Sequence, residues 1–119
     1  MLAMGSRFSA ASVFVWGALV LVLLAPAGCA SWRAAQLYQS GTQALSSGEI
    51  EQAVSELERA ARLQPDASEI QNHLGLAKLA SGDHDAAEAA FERAVELDCD
   101  NDAARRNLAS IGTRSQEGL

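Results

Sequence analysis

The chain repeats itself once, with a period of 34 residues. Ten residues between positions 41 and 66 recur with the same identity 34 positions later. They are Gly41, Leu45, Ser47, Gly48, Ala53, Glu58, Arg59, Ala60, Leu63 and Asp66, matched by Gly75, Leu79, Ser81, Gly82, Ala87, Glu92, Arg93, Ala94, Leu97 and Asp100. A repeat of this length is one supersecondary unit, which buries its apolar face only against a neighbouring unit. The period therefore predicts a stacked array rather than a single central core.

The apolar residues within each copy follow the spacing of a helix. Ala53, Leu57, Ala60 and Leu63 share one helical face, as do Ala87, Phe91, Ala94 and Leu97. Gly48 and Gly82 are placed to end a first helix in the left-handed conformation, Asp83 to cap the next helix, and Asp66 with Glu69 to form a capping box. We expect helices near residues 32–46, 50–63, 67–80, 84–97 and 101–111.

The two copies also share a pattern of small and large residues. The first copy supplies Gly41, Gly48, Ala53, Leu57, Ala60 and Pro65, and the second supplies Leu74, Gly75, Gly82, Ala87, Phe91 and Ala94. In this pattern the chain resembles the tetratricopeptide-repeat family. The resemblance implies an all-α solenoid of two helical hairpins, at 34–67 and 68–101, followed by a solvating helix at 102–112. The polar tail at 113–119 is expected to be disordered.

The sequence departs from the family pattern at a few positions. The usual tryptophan is Leu37 and then Gln71, the usual tyrosine is Ala44 and then Lys78, and Cys99 stands where proline is usual. These substitutions predict thinner contacts between helices than the family norm. Cys99 is expected to be a turn residue, with an intermolecular disulfide or a labile thiol as the alternative.

The N-terminus has the organisation of an export signal. Arg7 precedes an apolar run at 13–25, and small residues then lead to Cys29. The segment from Leu24 to Cys29 resembles the lipobox of bacterial lipoproteins, which implies a signal peptide at 1–28 that is removed, a lipidated Cys29 and a short tether at 29–33. Pro26 stands where a leucine is usual. Two alternatives stay open: cleavage after Ala27 to release a soluble periplasmic protein, and an uncleaved membrane anchor.

Charge limits the partners of the folded part. From Cys29 onward the chain holds eight basic residues against fifteen acidic ones, a formal charge of −7. An acidic surface repels phosphate groups, so nucleic acid and anionic lipid headgroups are poor partners for the array as a whole. Ala30 is not the aspartate that retains lipoproteins in the inner membrane of enteric bacteria. The expected location is therefore the outer membrane, with the array facing the periplasm.

No pattern in the sequence indicates catalysis. His73 and His84 fall on different predicted helices, without the spacing of a metal site, and His84 is expected at the edge of the core. Neither a glycine-flanked nucleophile nor a glycine-rich phosphate loop is present. The sequence predicts a protein that is not an enzyme and has no cofactor or metal.

Members of the resembled family bind protein segments along the concave surface that the first helix of each pair lines. The corresponding residues here are Tyr38, Thr42 and Leu45 from the first copy, Glu69, Asn72, Leu76 and Leu79 from the second, and Arg106 at the end of the groove. Leu45 and Leu79 could equally pack against neighbouring helices. The lysine and asparagine clamp by which one subfamily grips a C-terminal carboxylate is absent, because the matching positions are Tyr38, Thr42, His73, Ala103 and Asn107.

The expected function is that of a membrane-anchored periplasmic adaptor or assembly factor. Because the tether is short, its protein partner is expected to be embedded in or docked on the membrane. One alternative is a regulatory accessory subunit of a cell-wall enzyme, and another is a structural protein that self-associates into homo-oligomers.

Overall fold

The computed structural model describes the backbone of residues 10–117 and the side chains of residues 28–113. Within that range the chain forms five helices and no strand. They are α1 (Ala10–Ser47), α2 (Ile50–Leu63), α3 (Ser68–Ala80), α4 (His84–Leu97) and α5 (Asp102–Glu117). The predicted all-α class is confirmed. Residues 1–9 of the predicted signal peptide and residues 118–119 of the predicted tail lie outside the described residues.

Each hairpin turns at a glycine in the left-handed conformation. Gly48 has φ +80° between α1 and α2, and Gly82 has φ +86° between α3 and α4. The residue after each glycine forms a hydrogen bond to the last turn of the first helix. At the first turn the amide of Glu49 donates to the carbonyl of Ala44 at 2.9 Å. At the second turn Asp83 donates to Lys78 at 3.0 Å. These bonds satisfy carbonyls that the helix end leaves without partners, which is why glycine is needed at both turns.

Packing within each hairpin brings a glycine against the largest fully buried side chain of the second helix. Leu57 and Phe91 are fully buried. A Cβ atom added to Gly41 would lie 2.8 Å from the Cγ atom of Leu57, and one added to Gly75 would lie 2.6 Å from the Cε1 atom of Phe91. The glycines therefore permit a helix approach that no larger residue would allow at the same distance.

The core runs along the array as small clusters rather than as one centre. Leu57 joins Ala44, Ala53 and Ala77 in a first cluster. Ala60, Ala61 and Ile70 form a second, and Ala87, Phe91 and Ile111 a third. Because every cluster contains residues of two successive helices, each helix depends on its neighbour for burial.

Helix bounds differ from the sequence prediction at both ends. α1 begins at Ala10, not near residue 32, so the residues predicted to form a tether at 29–33 are helical. The sequence of this segment, Cys-Ala-Ser-Trp-Arg, contains no glycine or proline that would end a helix. α5 reaches Glu117, beyond the predicted cap at 102–112. The hydroxyls of Ser110 and Thr113 donate to carbonyls three residues earlier, at 2.7 and 3.0 Å, so this polar end keeps its hydrogen bonds within the helix.

The helices α4 and α5 begin at polar N-caps, whereas no side chain caps α2 or α3. The Asp83 side chain accepts from the amide of Ala86 at 3.2 Å, as predicted, and Asn101 accepts from Ala104 at 3.0 Å. The capping box at α3 was predicted wrongly, since its N-cap is Ala67 and no side chain caps that end. Within the part of the chain whose side chains are described, no helix is long and apolar enough to cross a membrane.

Candidate functional site

The predicted groove residues lie on α1, α3 and α5, the first helices of successive hairpins and the cap. Their exposure falls into three classes: Glu69 and Arg106 are exposed, Tyr38, Thr42, Leu45, Leu76 and Leu79 are half-buried, and Asn72 is buried. A surface with a half-buried floor and charged residues at its exposed edges can hold a peptide segment and set its direction.

A tyrosine and a histidine join α1 to α3 on this surface. The hydroxyl of Tyr38 lies 3.2 Å from Nδ1 of His73, and the two rings meet edge to face with centroids 5.2 Å apart. Nδ1 of His73 also lies 3.0 Å from the backbone carbonyl of Glu69. In the tautomer with a proton on Nδ1, the ring donates to Glu69 and the Tyr38 hydroxyl is left free to donate to a ligand. In the other tautomer Tyr38 donates to His73.

The electrostatic setting keeps Tyr38 neutral. Burial raises the pKa of the Tyr38 phenol above its ordinary value of 10.0, and the nearby carboxylate of Glu69 raises it further. Both effects disfavour the phenolate, the first because a buried charge loses hydration and the second because like charges repel. Tyr38 is therefore a hydroxyl donor at the acidic edge of the groove.

Two asparagines join α3 to α5 in the same way. The side-chain amide of Asn107 donates to the side-chain carbonyl of Asn72 at 2.9 Å, and Asn72 is only 5% exposed. Tyr38 and His73 are separated by 35 residues, and so are Asn72 and Asn107. In both pairs a residue of one helix contacts the residue that lies one repeat plus one position later. The two contacts form a polar ladder that links α1 to α3 and α3 to α5.

The sequence prediction missed two members of this ladder. Neither His73 nor Asn107 was among the predicted groove residues, and both were named as positions of the absent carboxylate clamp. The two are 34 residues apart, so they occupy equivalent positions of successive repeats. Each lies 35 residues after a predicted groove residue, His73 after Tyr38 and Asn107 after Asn72. A search for polar residues at this separation would have found both.

The leucines that were predicted to line the groove contribute to the core. Leu45 packs against the cluster that contains Ala44 and Leu57. Leu76 and Leu79 pack against the cluster of Ala87, Phe91 and Ile111. The packing role that the sequence left open for Leu45 and Leu79 is present in the structure, and since both are half-buried, part of each side chain stays exposed.

A second polar network fixes α5 at the end of the array. The side-chain amide of Asn101 donates to the hydroxyl of Ser68 at 2.8 Å, and Ser68 donates to the carbonyl of Ala94 at 2.9 Å. Three helices, α3, α4 and α5, meet at these side chains. Arg106 consequently projects from a helix whose start is held by specific hydrogen bonds.

The described residues show no arrangement typical of metal binding. No three or more histidine, cysteine or acidic side chains between residues 28 and 113 lie close enough to hold a metal ion. Cys29 and Cys99 are both exposed and are not bonded to each other. His84 is exposed, so the prediction that it lies at the edge of the core is wrong; it is the first residue of α4 and points away from the packed face.

Comparison with known families gives one result that covers most of the array. A family model described as tetratricopeptide repeat matches residues 38–106 and 74–116. The two matched segments overlap by one repeat and include both hairpins and the cap. A search of curated proteins found no significant match.

Proposed function

The chain belongs to the tetratricopeptide-repeat family, a family of protein-interaction modules, and we propose that it is a membrane-anchored adaptor or assembly factor of the bacterial cell envelope. In this proposal the concave surface of α1, α3 and α5 binds a segment of a client protein. The observation that carries the proposal is the polar ladder, because it places hydrogen-bonding groups over an apolar floor along the surface.

The chemistry of the groove suits an amphipathic or extended segment. Tyr38, Thr42 and Asn107 offer hydroxyl and amide groups that can pair with a peptide backbone. Glu69 at one edge and Arg106 at the other carry opposite charges, which favours one direction of a bound segment over the reverse. The half-buried leucines supply apolar contact between these groups.

The proposed anchor is a lipid on Cys29, with the array on the periplasmic side of the outer membrane. Cys29 is exposed, as a modified residue must be. Among the residues whose side chains are described, the first that is fully buried is Ala34, and the five residues of helix from Cys29 to Ala34 span about 7.5 Å. An array held so close to the bilayer would meet clients that are embedded in the membrane or docked on it.

The start of the array argues against self-association by stacking. Ile70, Leu74 and Ala77 pack against the preceding hairpin. The equivalent positions of α1, one repeat earlier, are Gln36, Ser40 and Gln43. A second copy stacked on the start of the array would have to pack against these three residues. A polar surface at this position behaves as a cap, so binding of a different protein is favoured over a homo-oligomer. A regulatory accessory subunit of a cell-wall enzyme remains a compatible role for such a binding surface.

Site-specific photocrosslinking in intact bacteria tests the binding surface. A photoreactive residue at Thr42 or Arg106 is expected to capture a client, whereas the same residue at Ser55, exposed on α2, is expected to capture none. Arg106→Glu should reduce the product formed from position 42, because the charge at one edge of the groove is reversed. Equal crosslinking from positions 42 and 55 would contradict the proposal. Purification of the captured client with an assay for cell-wall hydrolysis would separate the accessory-subunit role from a pure adaptor.

A further inference from the structure

The negative charge of the chain is confined to one part of it. All fifteen acidic residues lie at or after Glu49, and the preceding 48 residues contain only two charged side chains, Arg7 and Arg33. The N-terminal part of α1 therefore lacks the acidic surface that the rest of the array presents. General repulsion from phosphate groups does not extend to this end.

An exposed tryptophan lies at the same end. Trp32 is 66% exposed, and the other large apolar side chain exposed among the described residues is Leu63 at 36%. Trp32 follows Cys29 by three residues and Arg33 follows it by four, so all three lie on adjacent parts of one helical face. The rise from Cys29 to Trp32 is about 4.5 Å. Between residues 28 and 113, whose side chains are described, no residue covers this patch, since Cys29, Trp32 and Arg33 are all exposed.

We infer that the patch of Cys29, Trp32 and Arg33 is a contact surface for the phospholipid bilayer, with the indole in the interfacial layer and the guanidinium at lipid phosphates. This inference rests on the membrane anchoring proposed above. Indole rings favour the membrane–water interface because they combine an apolar body with one hydrogen-bond donor. Arginine matches phosphate oxygens in geometry as well as in charge.

The bilayer fits this patch better than a protein partner does. A lipid on Cys29 would bring the membrane surface within one helical turn of Trp32, so the ring would have lipid beside it whether or not a client is bound. The absence of acidic residues before Glu49 removes the repulsion that anionic headgroups would meet elsewhere on the array. The contact would also fix the orientation of α1, and with it the direction in which the concave surface faces.

Tryptophan fluorescence can test this contact in the full chain. Trp32 is the sole tryptophan once residues 1–28 are removed, and Trp16→Phe makes this true of any uncleaved precursor as well. The protein, purified from bacterial membranes, is placed in phosphatidylcholine vesicles with and without phosphatidylglycerol. The emission of Trp32 is expected to shift to the blue and to be quenched by lipids brominated near the headgroup. A matched reporter, Trp16→Phe with Trp32→Phe and Leu63→Trp, places the indole at the end of α2 and is expected to stay unquenched.

Vesicle flotation, measured on the same samples, separates the possible failures. If the chain floats with vesicles but Trp32 is not quenched, the inference is overturned while the anchor stands. If the chain does not float, the anchor and the inference both fail, and the groove remains to be judged by crosslinking. Equal quenching of the reporters at positions 32 and 63 would mean that the array lies flat, which also overturns the inference. A blue-shifted Trp32 in the absence of vesicles would show that protein, not lipid, covers the patch.

Discussion

The close approach of α3 and α4 depends on the absence of a side chain at Gly75. In Gly75→Ala, the added Cβ atom would lie 2.6, 2.7 and 2.9 Å from the Cε1, Cδ1 and Cζ atoms of Phe91. Carbon atoms pack best at about 3.5–4.0 Å, so the ring or the helix would have to move by about 1 Å. Phe91 is fully buried and packs with Ala87 and Ile111, which leaves the ring no open space to enter.

Two effects of opposite sign set the magnitude. Alanine is favoured over glycine in a helix interior by about 1 kcal/mol. Overpacking a close-packed core costs about 1–3 kcal/mol. We expect overpacking to prevail at Gly75, with a net loss of about 1–2 kcal/mol in the free energy of unfolding. For a domain of this size such a loss lowers Tm by about 5–15 °C.

Thermal unfolding followed by circular dichroism measures this loss. Gly112→Ala is the matched control, because a Cβ atom added there meets nothing within 4 Å. The control should gain about 0.5–1 kcal/mol from the helix preference alone. Phe91→Leu in the Gly75→Ala background should recover part of the loss, giving a favourable coupling energy in a double-mutant cycle. If Gly75→Ala is as stable as Gly112→Ala, the packing of α3 against α4 described above is incorrect.

Three further variants or titrations probe the core, the groove and the anchor. Phe91→Ala should cost about 3–5 kcal/mol and broaden unfolding, and an unchanged melt would show that Phe91 is not a core residue. Tyr38 is the only tyrosine of the chain, so absorbance during alkaline titration should give a midpoint above 10.0, with a smaller shift in Glu69→Gln. The folded state favours the neutral phenol, so this contribution to the free energy of unfolding is present below pH 10 and is lost as the pH rises through the raised pKa of Tyr38. A titration midpoint at the ordinary pKa of 10.0 would contradict the burial of Tyr38. Cys29→Ser should prevent labelling by fatty acid and move the protein from the membrane pellet to the soluble fraction, whereas identical fractionation of an unlabelled wild type would exclude a lipid anchor.

Local sequence was sufficient for the helices and their turns inside the array. The predicted bounds 50–63 and 84–97 agree with α2 and α4, and the glycines at 48 and 82 have the predicted left-handed conformation. These features depend on short-range chemistry: apolar spacing, the conformational freedom of glycine and the N-cap of Asp83. The repeat period also identified Leu57 and Phe91 as core residues, because a large residue recurred at the same register.

The ends of the helices were less predictable from the sequence. α1 extends through the segment where a tether was expected, and α5 extends past its predicted end. In both segments small and hydroxyl-bearing residues provide neither a strong stop nor a periodic apolar face. Where the helix propensity of a segment is nearly neutral, the length of the helix depends on propagation from a neighbouring segment that is already packed. This effect is cooperative and cannot be predicted from the local sequence pattern.

The sequence by itself determined the class of the fold and the repeat unit, and it predicted which positions line the groove. Tertiary structure alone decided what those positions do. Tyr38 pairs with His73 and Asn72 with Asn107 only because successive first helices pack with an offset of one residue beyond the repeat period. The same packing brings Leu76 and Leu79 against the Phe91 cluster. The repeat period fixes which residues of the two copies are equivalent. Which residues contact each other across the interface depends on the rotation and shift between successive hairpins. That rotation and shift follow from how all the side chains pack together.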